Sequence, residues 1–82
     1  MTERNLRLVY FAMLKECAGV SGEELRTSAN TARELYAELR ASRGFSLGET
    51  DLRVAINGEF ADLDNALCDG DEISFIPPVS GG

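Results

Sequence analysis

The sequence predicts an α+β domain in which four to five short strands, forming a mixed sheet, wrap around one main helix. Three observations predict it: one long amphipathic segment at residues 31–44, several short runs of alternating β-forming residues, and glycine-containing turns between these segments. The chain has 82 residues, enough for a single domain with a small core. Its 44% hydrophobic and 27% charged residues are typical of a globular protein.

The first part of the chain predicts two strands joined through a short helix. Residues 5–11 alternate in character, with two sets of side chains on opposite faces. One set is Leu6, Leu8 and Tyr10, and the other is Arg7, Val9 and Phe11. Residues 12–18 suit a short helix that ends at Gly19, and residues 23–27 suit a second strand.

Residues 31–44 predict the main helix. Thr31 is a good N-cap, and Glu34 three residues later completes a capping box. An apolar stripe recurs at helical spacing, formed by Ala32, Leu35, Tyr36 and Leu39. Gly44 ends the helix. The stripe requires a sheet to cover it.

The second part of the chain predicts three more strands. Residues 52–58 alternate and end in Asn-Gly, a strong hairpin signal, so residues 59–63 are the partner strand. A loop with an Asp-Gly-Asp turn precedes the last strand, residues 72–76. Its inward side chains are Ile73 and Phe75, and its outward ones are Glu72, Ser74 and Ile76. The order β-β-α-β-β-β is the β-grasp arrangement of ubiquitin, with residues 1–76 as the domain and residues 77–82 as a flexible, extended C-terminal Gly-Gly tail.

Composition excludes several classes of function. The formal net charge of −6 disfavours nucleic acid as a partner. The longest apolar run, residues 9–14, is far shorter than the roughly 20 residues that span a membrane, and the N-terminal segment lacks the apolar stretch of a secretory signal. We therefore expect a soluble, cytoplasmic protein with no membrane partner. The chain has no histidine and no GxxxxGK loop, so we expect no acyl chemistry and no bound ATP or other cofactor of its own.

The cysteines and the acidic turn predict no metal site. Cys17 and Cys68 lack the spacing of metal ligands, and we expect both to be small, buried apolar side chains. Asp69, Asp71 and Glu72 invite a metal interpretation, but the Asp-Gly-Asp spacing is typical of a turn.

The C-terminal residues are unusual for the end of a folded domain. Pro77 and Pro78 have no backbone N–H to donate to a neighbouring strand, and their fixed φ angles stiffen the chain where it leaves the last strand. Gly81 and Gly82 have no Cβ and can thread a narrow channel. The ionised carboxylate of Gly82 can attack the α-phosphate of ATP held by another protein, and displacement of the acyl-adenylate by sulfur leaves a thiocarboxylate. Because nothing follows Gly82, we expect the terminus to need no processing; a frayed, inert end is the alternative.

A tail of this kind cannot bind a partner by itself, so the folded domain must also provide a surface that docks on the partner. Ordering residues 77–82 on a partner costs on the order of 1–2 kcal/mol of backbone conformational entropy for each residue. Strand parity places Val9, Phe11 and Ile76 on the sheet face opposite the main helix, and Phe60 is a further candidate. Burying each such side chain contributes roughly 1.5–3 kcal/mol. In the alternative interpretation, the short helix covers these residues, or they are isolated exposed apolar side chains.

These motifs resemble a known family. The segment CDGDEISFIPPVSGG resembles the C-terminus of the small, sulfur-carrying subunits of molybdopterin synthase, which are ubiquitin-like β-grasp proteins. The segment LRLVYFAMLKECAG is similar to that family's first strand and short helix. The resemblance spans essentially the whole chain and is weakest across residues 20–30 and 44–50.

The resemblance implies a role in molybdenum cofactor biosynthesis. An E1-like adenylating enzyme would activate Gly82 using ATP, and a sulfur donor protein would convert it to a thiocarboxylate. The large subunit of molybdopterin synthase would receive the tail and build the dithiolene of molybdopterin from cyclic pyranopterin monophosphate, in a heterotetramer with two copies of each subunit. The chain would thus be non-catalytic alone. The residues expected to contact the large subunit are Phe11, Lys15, Phe60, Ile76, Pro77, Pro78, Val79 and Ser80.

Three other functions stay open at this point. A ubiquitin-like modifier would form isopeptide bonds through Gly82, using the same adenylate. A sulfur carrier of the thiazole pathway also ends in Gly-Gly, although the FIPPVS run favours the molybdopterin family. A plain binding domain with an inert tail is the third.

Overall fold

The computed structural model describes residues 3–78. The elements follow the predicted order, with one addition, a 3₁₀ helix at Glu49–Asp51. They are β1 (Arg4–Tyr10), α1 (Ala12–Ala18), β2 (Gly22–Thr27), α2 (Ala32–Arg43), the 3₁₀ helix, β3 (Arg53–Ile56), β4 (Glu59–Ala61) and β5 (Glu72–Ile76). The predictions for Val79, Ser80, Gly81 and Gly82 lie outside the described residues.

The strands form one mixed sheet in the order β2-β1-β5-β3-β4. β1 and β5 are parallel neighbours at the centre, and the other three pairs are antiparallel. One long helix, α2, packs against this sheet, which confirms the predicted α+β, β-grasp architecture. The parallel central pair brings the end of β1 beside the end of the last strand.

The core lies between α2 and the sheet. The predicted stripe of α2 is buried, with Ala32, Leu35, Tyr36 and Leu39 all fully covered. Phe45, which no pattern in the sequence predicted to be a core residue, is also buried, with its ring centroid 5.6 Å from that of Tyr10 and 6.0 Å from that of Tyr36. These aromatic contacts close the core beyond the end of α2.

The predicted cap of α2 is present in a modified form. The Thr31 hydroxyl accepts a hydrogen bond from the Glu34 N–H at 3.2 Å. The Glu34 carboxylate reaches back to the N–H of Asn30, at 3.0 Å, instead of the N–H of Thr31. The first bond satisfies a backbone donor that the first turn of α2 leaves free, and the second satisfies the N–H of the residue before the N-cap. At the other end, Gly44 adopts the left-handed conformation, with φ 76°.

Three further positions, two in a turn and one at the start of a strand, require glycine or a residue that tolerates positive φ. Asn57 and Gly58 both have positive φ, 54° and 87°, as a two-residue hairpin turn between β3 and β4 requires. At the start of β2, a Cβ on Gly22 would lie 2.6 Å from the carbonyl oxygen of Leu8. Any side chain there would therefore push β2 away from β1.

The prediction that both cysteines are buried is wrong, because Cys17 and Cys68 are exposed. Leu14 takes the buried position of α1, and Leu67 takes the buried position beside Cys68. The Cys17 thiol lies at the surface, with its Sγ 3.4 Å from the carbonyl oxygen of Arg43. Apolar character alone did not distinguish these positions from core positions.

The acidic turn is built from hydrogen bonds. Asp71 accepts from the N–H of Cys68 at 2.9 Å, and Asp69 accepts from the N–H of Asn5 at 2.7 Å. Within residues 3–78 no cluster of three metal-binding side chains is present. No helix in that part of the chain is long and apolar enough to cross a membrane. The cytoplasmic location stays a prediction.

Candidate docking face and chain exit

The sheet face opposite α2, here called the outer face, carries a row of side chains that crosses all five strands. Val9 on β1 is in register with Gly22 on one side and with Ser74 on the other. Ser74 pairs with Ala55, and Ala55 pairs with Phe60. Because paired residues point to the same face, parity and register together place Val9 and Phe60 on the outer face.

A second, shorter row lies at the edge where the chain leaves the sheet. Ile76 pairs with Arg53. Phe11 follows Tyr10, whose partner is Phe75, so Phe11 lies next to Ile76. The backbone of Phe11 is extended, at φ −122° and ψ 150°, which keeps its side chain on the opposite face from Tyr10.

We call the five residues Val9, Phe11, Ala55, Phe60 and Ile76 the outer patch. Phe60 is 69% exposed and Phe11 is 45% exposed, whereas Val9 and Ile76 are half-buried and Ala55 is buried. The patch therefore presents two large aromatic side chains to solvent beside smaller apolar neighbours.

The short helix does not cover this patch. Leu14 of α1 joins the core that α2 also lines, and the thiol of Cys17 contacts the end of α2. Both contacts place α1 towards the helix side of the sheet. The alternative in which α1 buries the patch therefore does not hold for Phe11 or Phe60. Whether a partner binds there stays a prediction.

The described part of the chain ends at the proline pair, directly after β5. Pro77 is buried and Pro78 is exposed. Pro77 follows directly after Ile76, so the exit point adjoins the edge of the outer patch. The two prolines fix φ over this step and restrict the directions in which the following residues can leave.

Two cations lie beside the outer patch. Lys15 is exposed and lines a surface groove together with Val9 and Phe11. The guanidinium carbon of Arg53 lies 5.8 Å from the centroid of the Phe60 ring, within the range of a cation–π contact. Sequence reasoning missed Arg53. The hairpin register could have found it, since a two-residue turn at residues 57–58 sets residue 53 diagonally across from residue 60.

On the helix side, a polar network fastens β2 to the end of α2. Arg43 donates two hydrogen bonds to the Glu23 carboxylate, at 2.9 and 2.6 Å, and the Tyr10 hydroxyl donates a third at 2.6 Å. The Arg43 guanidinium lowers the pKa of Glu23. Burial, followed by the Glu23 carboxylate, raises the pKa of Tyr10. At neutral pH the phenol thus stays protonated and the carboxylate ionised, so the network stabilises the fold and exchanges no protons.

The arrangement can bind a partner surface and present the end of the chain to it. Of the predicted contact residues, the structure brings Phe11, Ile76 and Pro77 together at one edge. It places Phe60 further along the same face and Lys15 beside Phe11. The tail residues 79–82 lie outside the described part.

Comparisons with known proteins agree with this architecture. A family model described as the ThiS family matches residues 8–82. A molybdopterin synthase sulfur carrier subunit of Haemophilus influenzae is 36% identical over 80 residues, covering 94% of this chain and 99% of that protein.

Two solved structures are similar over nearly the whole length. The small archaeal modifier protein 1 of Methanosarcina acetivorans has a TM-score of 0.79 at 25% identity, covering 100% of both chains. A complex of subunits 1 and 2 of the molybdopterin-converting factor of Helicobacter pylori contains a chain with a TM-score of 0.64 and 33% identity, covering 95% of this chain and 99% of that one.

The fold and these similarities define the class as a small, ubiquitin-like β-grasp protein. The family match extends over almost the entire sequence, and it includes the C-terminal Gly-Gly. The chain belongs to the ThiS family.

Proposed function

We propose that this protein is the sulfur carrier subunit of a molybdopterin synthase. One observation carries the proposal: the outer patch adjoins the exit of a chain that ends in Gly-Gly, in a protein 36% identical to a molybdopterin synthase sulfur carrier subunit over nearly full length. A carrier needs a docking surface and a reactive chain end close to each other, because the chain end must enter a partner's site while the folded domain remains bound to that partner.

The chemistry takes place at Gly82. Its carboxylate attacks the α-phosphate of ATP bound by an E1-like adenylating enzyme, and pyrophosphate leaves. A sulfur donor protein then delivers sulfur at the sulfide level, which attacks the acyl carbon and displaces AMP; one carboxylate oxygen leaves with the AMP and sulfur takes its place. The thiocarboxylate is a bound sulfide equivalent for the dithiolene of molybdopterin. This chain holds no ATP itself; the ATP belongs to the partner enzyme.

Docking takes place on the outer patch. The large synthase subunit covers Phe11, Phe60 and Ile76, with Lys15 at the margin, and Pro77 directs the tail into its site. Residues 78–82 then lie in the large subunit, which supplies the pterin site and the acid–base groups. Each aromatic anchor that becomes buried contributes about 1.5–3 kcal/mol, which offsets part of the entropy cost of ordering the tail. Two copies of each subunit form the complete enzyme.

Deletion of Gly82 tests the proposal. We expect the shortened chain to lose all synthesis of molybdopterin, since the reactive carboxylate is then misplaced by one residue. Its melting temperature and its binding to the large subunit should stay close to those of the full chain, because the outer patch is unchanged. Assay of molybdopterin in a reconstituted system measures the effect, and normal synthesis by the shortened chain would refute the proposal.

A protein modifier is the second candidate, since the small archaeal modifier protein 1 shares this fold at a TM-score of 0.79. As a modifier, the chain would transfer its Gly82 acyl group from AMP to a lysine amine, and an amide would form. Immunoblots of cells that express a tagged chain distinguish the two. A ladder of covalent conjugates that disappears with Gly82 favours the modifier, whereas a single band with active synthase favours the carrier. The near full-length match to a molybdopterin synthase subunit favours the carrier over a thiazole-pathway role.

A further inference from the structure

We propose that Arg53 determines the specificity of the outer patch by pairing with a carboxylate on the partner surface that covers it. The inference rests on the proposed docking function and adds the chemistry of the partner: an apolar surface with an acidic side chain placed opposite Arg53.

Arg53 lies on the outer face, in the row at the edge of the sheet next to the proline pair. It pairs in register with Ile76, the last residue of β5 before the exit prolines. Its guanidinium carbon lies 5.8 Å from the Phe60 ring centroid. The cation is thus held between the two apolar anchors of the patch.

Arg53 has no acidic partner within residues 3–78, unlike most arginines there. Four others form ion pairs with carboxylates: Arg7, Arg26, Arg33 and Arg43. The register that joins Val54 to Ala61 continues to Asp62 opposite Arg53, yet the two side chains form no ion pair within 4.0 Å in the described part of the chain. The guanidinium instead lies near the aromatic ring, which satisfies none of its in-plane N–H groups.

Docking of an apolar surface would remove water from these N–H groups. A guanidinium cannot lose its proton to avoid the cost of burial, and it carries five donors in a planar fork. A buried cation without an acceptor is strongly unfavourable. A carboxylate is the acceptor that matches the fork with two parallel hydrogen bonds.

The charge distribution supports the same partner chemistry. The whole chain carries a net charge of −6, which by itself would favour a basic partner. The exposed cations Lys15 and Arg53 flank the outer patch, and Arg7 on the same face already pairs with Glu24 at 3.5 Å. Register also places Glu24 and Glu72 on this face, both within 4.0 Å of Arg7, and Asp62 opposite Arg53. The acidic group is therefore expected at one point of the partner, opposite Arg53, and the pairing sets the partner's orientation.

The test uses the full chain and the large synthase subunit of the same organism, with the dissociation constant measured by calorimetric titration. Arg53→Gln, which removes the charge, should weaken binding by about tenfold, and Arg53→Glu by about a hundredfold or more, because two anions then face each other. Arg40→Glu is the matched control. It makes the same change of charge at an exposed position of α2 and should alter binding by less than about twofold.

Each outcome decides between stated alternatives. Equal losses from Arg53→Glu and Arg40→Glu would show an effect of net charge alone and would overturn the inference. Unchanged binding by Arg53→Gln and Arg53→Glu, with the native chain binding normally, would overturn the inference and leave the proposed function intact. Failure of the native chain to bind the large subunit would defeat the proposed function itself, and this inference with it.

Discussion

Ala12 shows how a single residue sets the geometry of the outer patch. Its φ is 52°, a left-handed conformation that costs an L-residue other than glycine roughly 1–2 kcal/mol. The residue stands between Phe11, which faces outward, and the helix that carries Leu14 into the core. The turn at Ala12 therefore lets the chain change from a strand to a helix while Phe11 keeps its outward direction.

We predict that Ala12→Gly leaves the free energy of unfolding unchanged or raises it by up to about 1 kcal/mol, because glycine adopts positive φ without strain. Ala37→Gly is the control. Ala37 is exposed in the middle of α2, where glycine costs about 1 kcal/mol relative to alanine. Urea denaturation of both variants measures the contrast. A similar loss of stability in both would show that Ala12 is unstrained.

At the scale of elements, the network of Tyr10, Glu23 and Arg43 joins strands β1 and β2 to the end of α2. Glu23 has its pKa lowered, chiefly by hydrogen bonds from Arg43. A carboxylate with a lower pKa in the folded state than its ordinary value of 4.5 stabilises the fold fully above that value. This stabilisation is lost as the pH falls and Glu23 becomes protonated.

We therefore predict that Glu23→Gln lowers the free energy of unfolding by about 1–2 kcal/mol at pH 7, and that this loss becomes smaller as the pH falls below 4.5 and through the lowered pKa of Glu23 in the folded state. Thermal melting over this pH range measures the difference. Glu16→Gln, on the exposed side of α1, serves as the control for loss of one negative charge. If Glu23→Gln and the native chain kept a constant stability difference at all pH values, the ion pair would not account for the acid dependence.

Elements were predictable where their signals are local. The cap at Thr31, the apolar stripe of α2 and the Asn57–Gly58 turn each depend on residues a few positions apart, and each is present in the structure. The burial of Phe45 and the ion pairs of Arg33 with Glu49 and Asp64 join segments distant in the chain. No local pattern specifies such contacts.

The candidate site was predictable only in part for the same reason. Strand parity placed Phe11 and Ile76 on one face, but their adjacency follows from the parallel pairing of β1 with β5. That pairing joins the two ends of the chain and has no local signal of its own. Arg53 was missed because its significance depends on the position of Phe60 across the hairpin.

At the scale of the whole molecule, the fold serves to place an apolar face beside the chain exit. We predict that Ile76→Lys weakens binding to the large subunit at least tenfold, because it places a charge among apolar anchors at the edge of the patch. The side chain is only half-buried, so the domain should stay folded. Ala37→Lys adds the same charge on the helix side and should bind normally. Co-elution on a sizing column and titration check both variants, and normal binding by Ile76→Lys would exclude this edge from the interface.

Conversion of Gly82 to a thiocarboxylate is the central claim, and intact-mass spectrometry tests it most directly. The purified chain is incubated with the adenylating enzyme, ATP and a sulfur donor, and a chain without Gly82 is treated in parallel. The account predicts that the full chain gains the mass difference between one sulfur and one oxygen, and that the shortened chain gains nothing. An unchanged mass in the full chain, or the same gain in both chains, would contradict it.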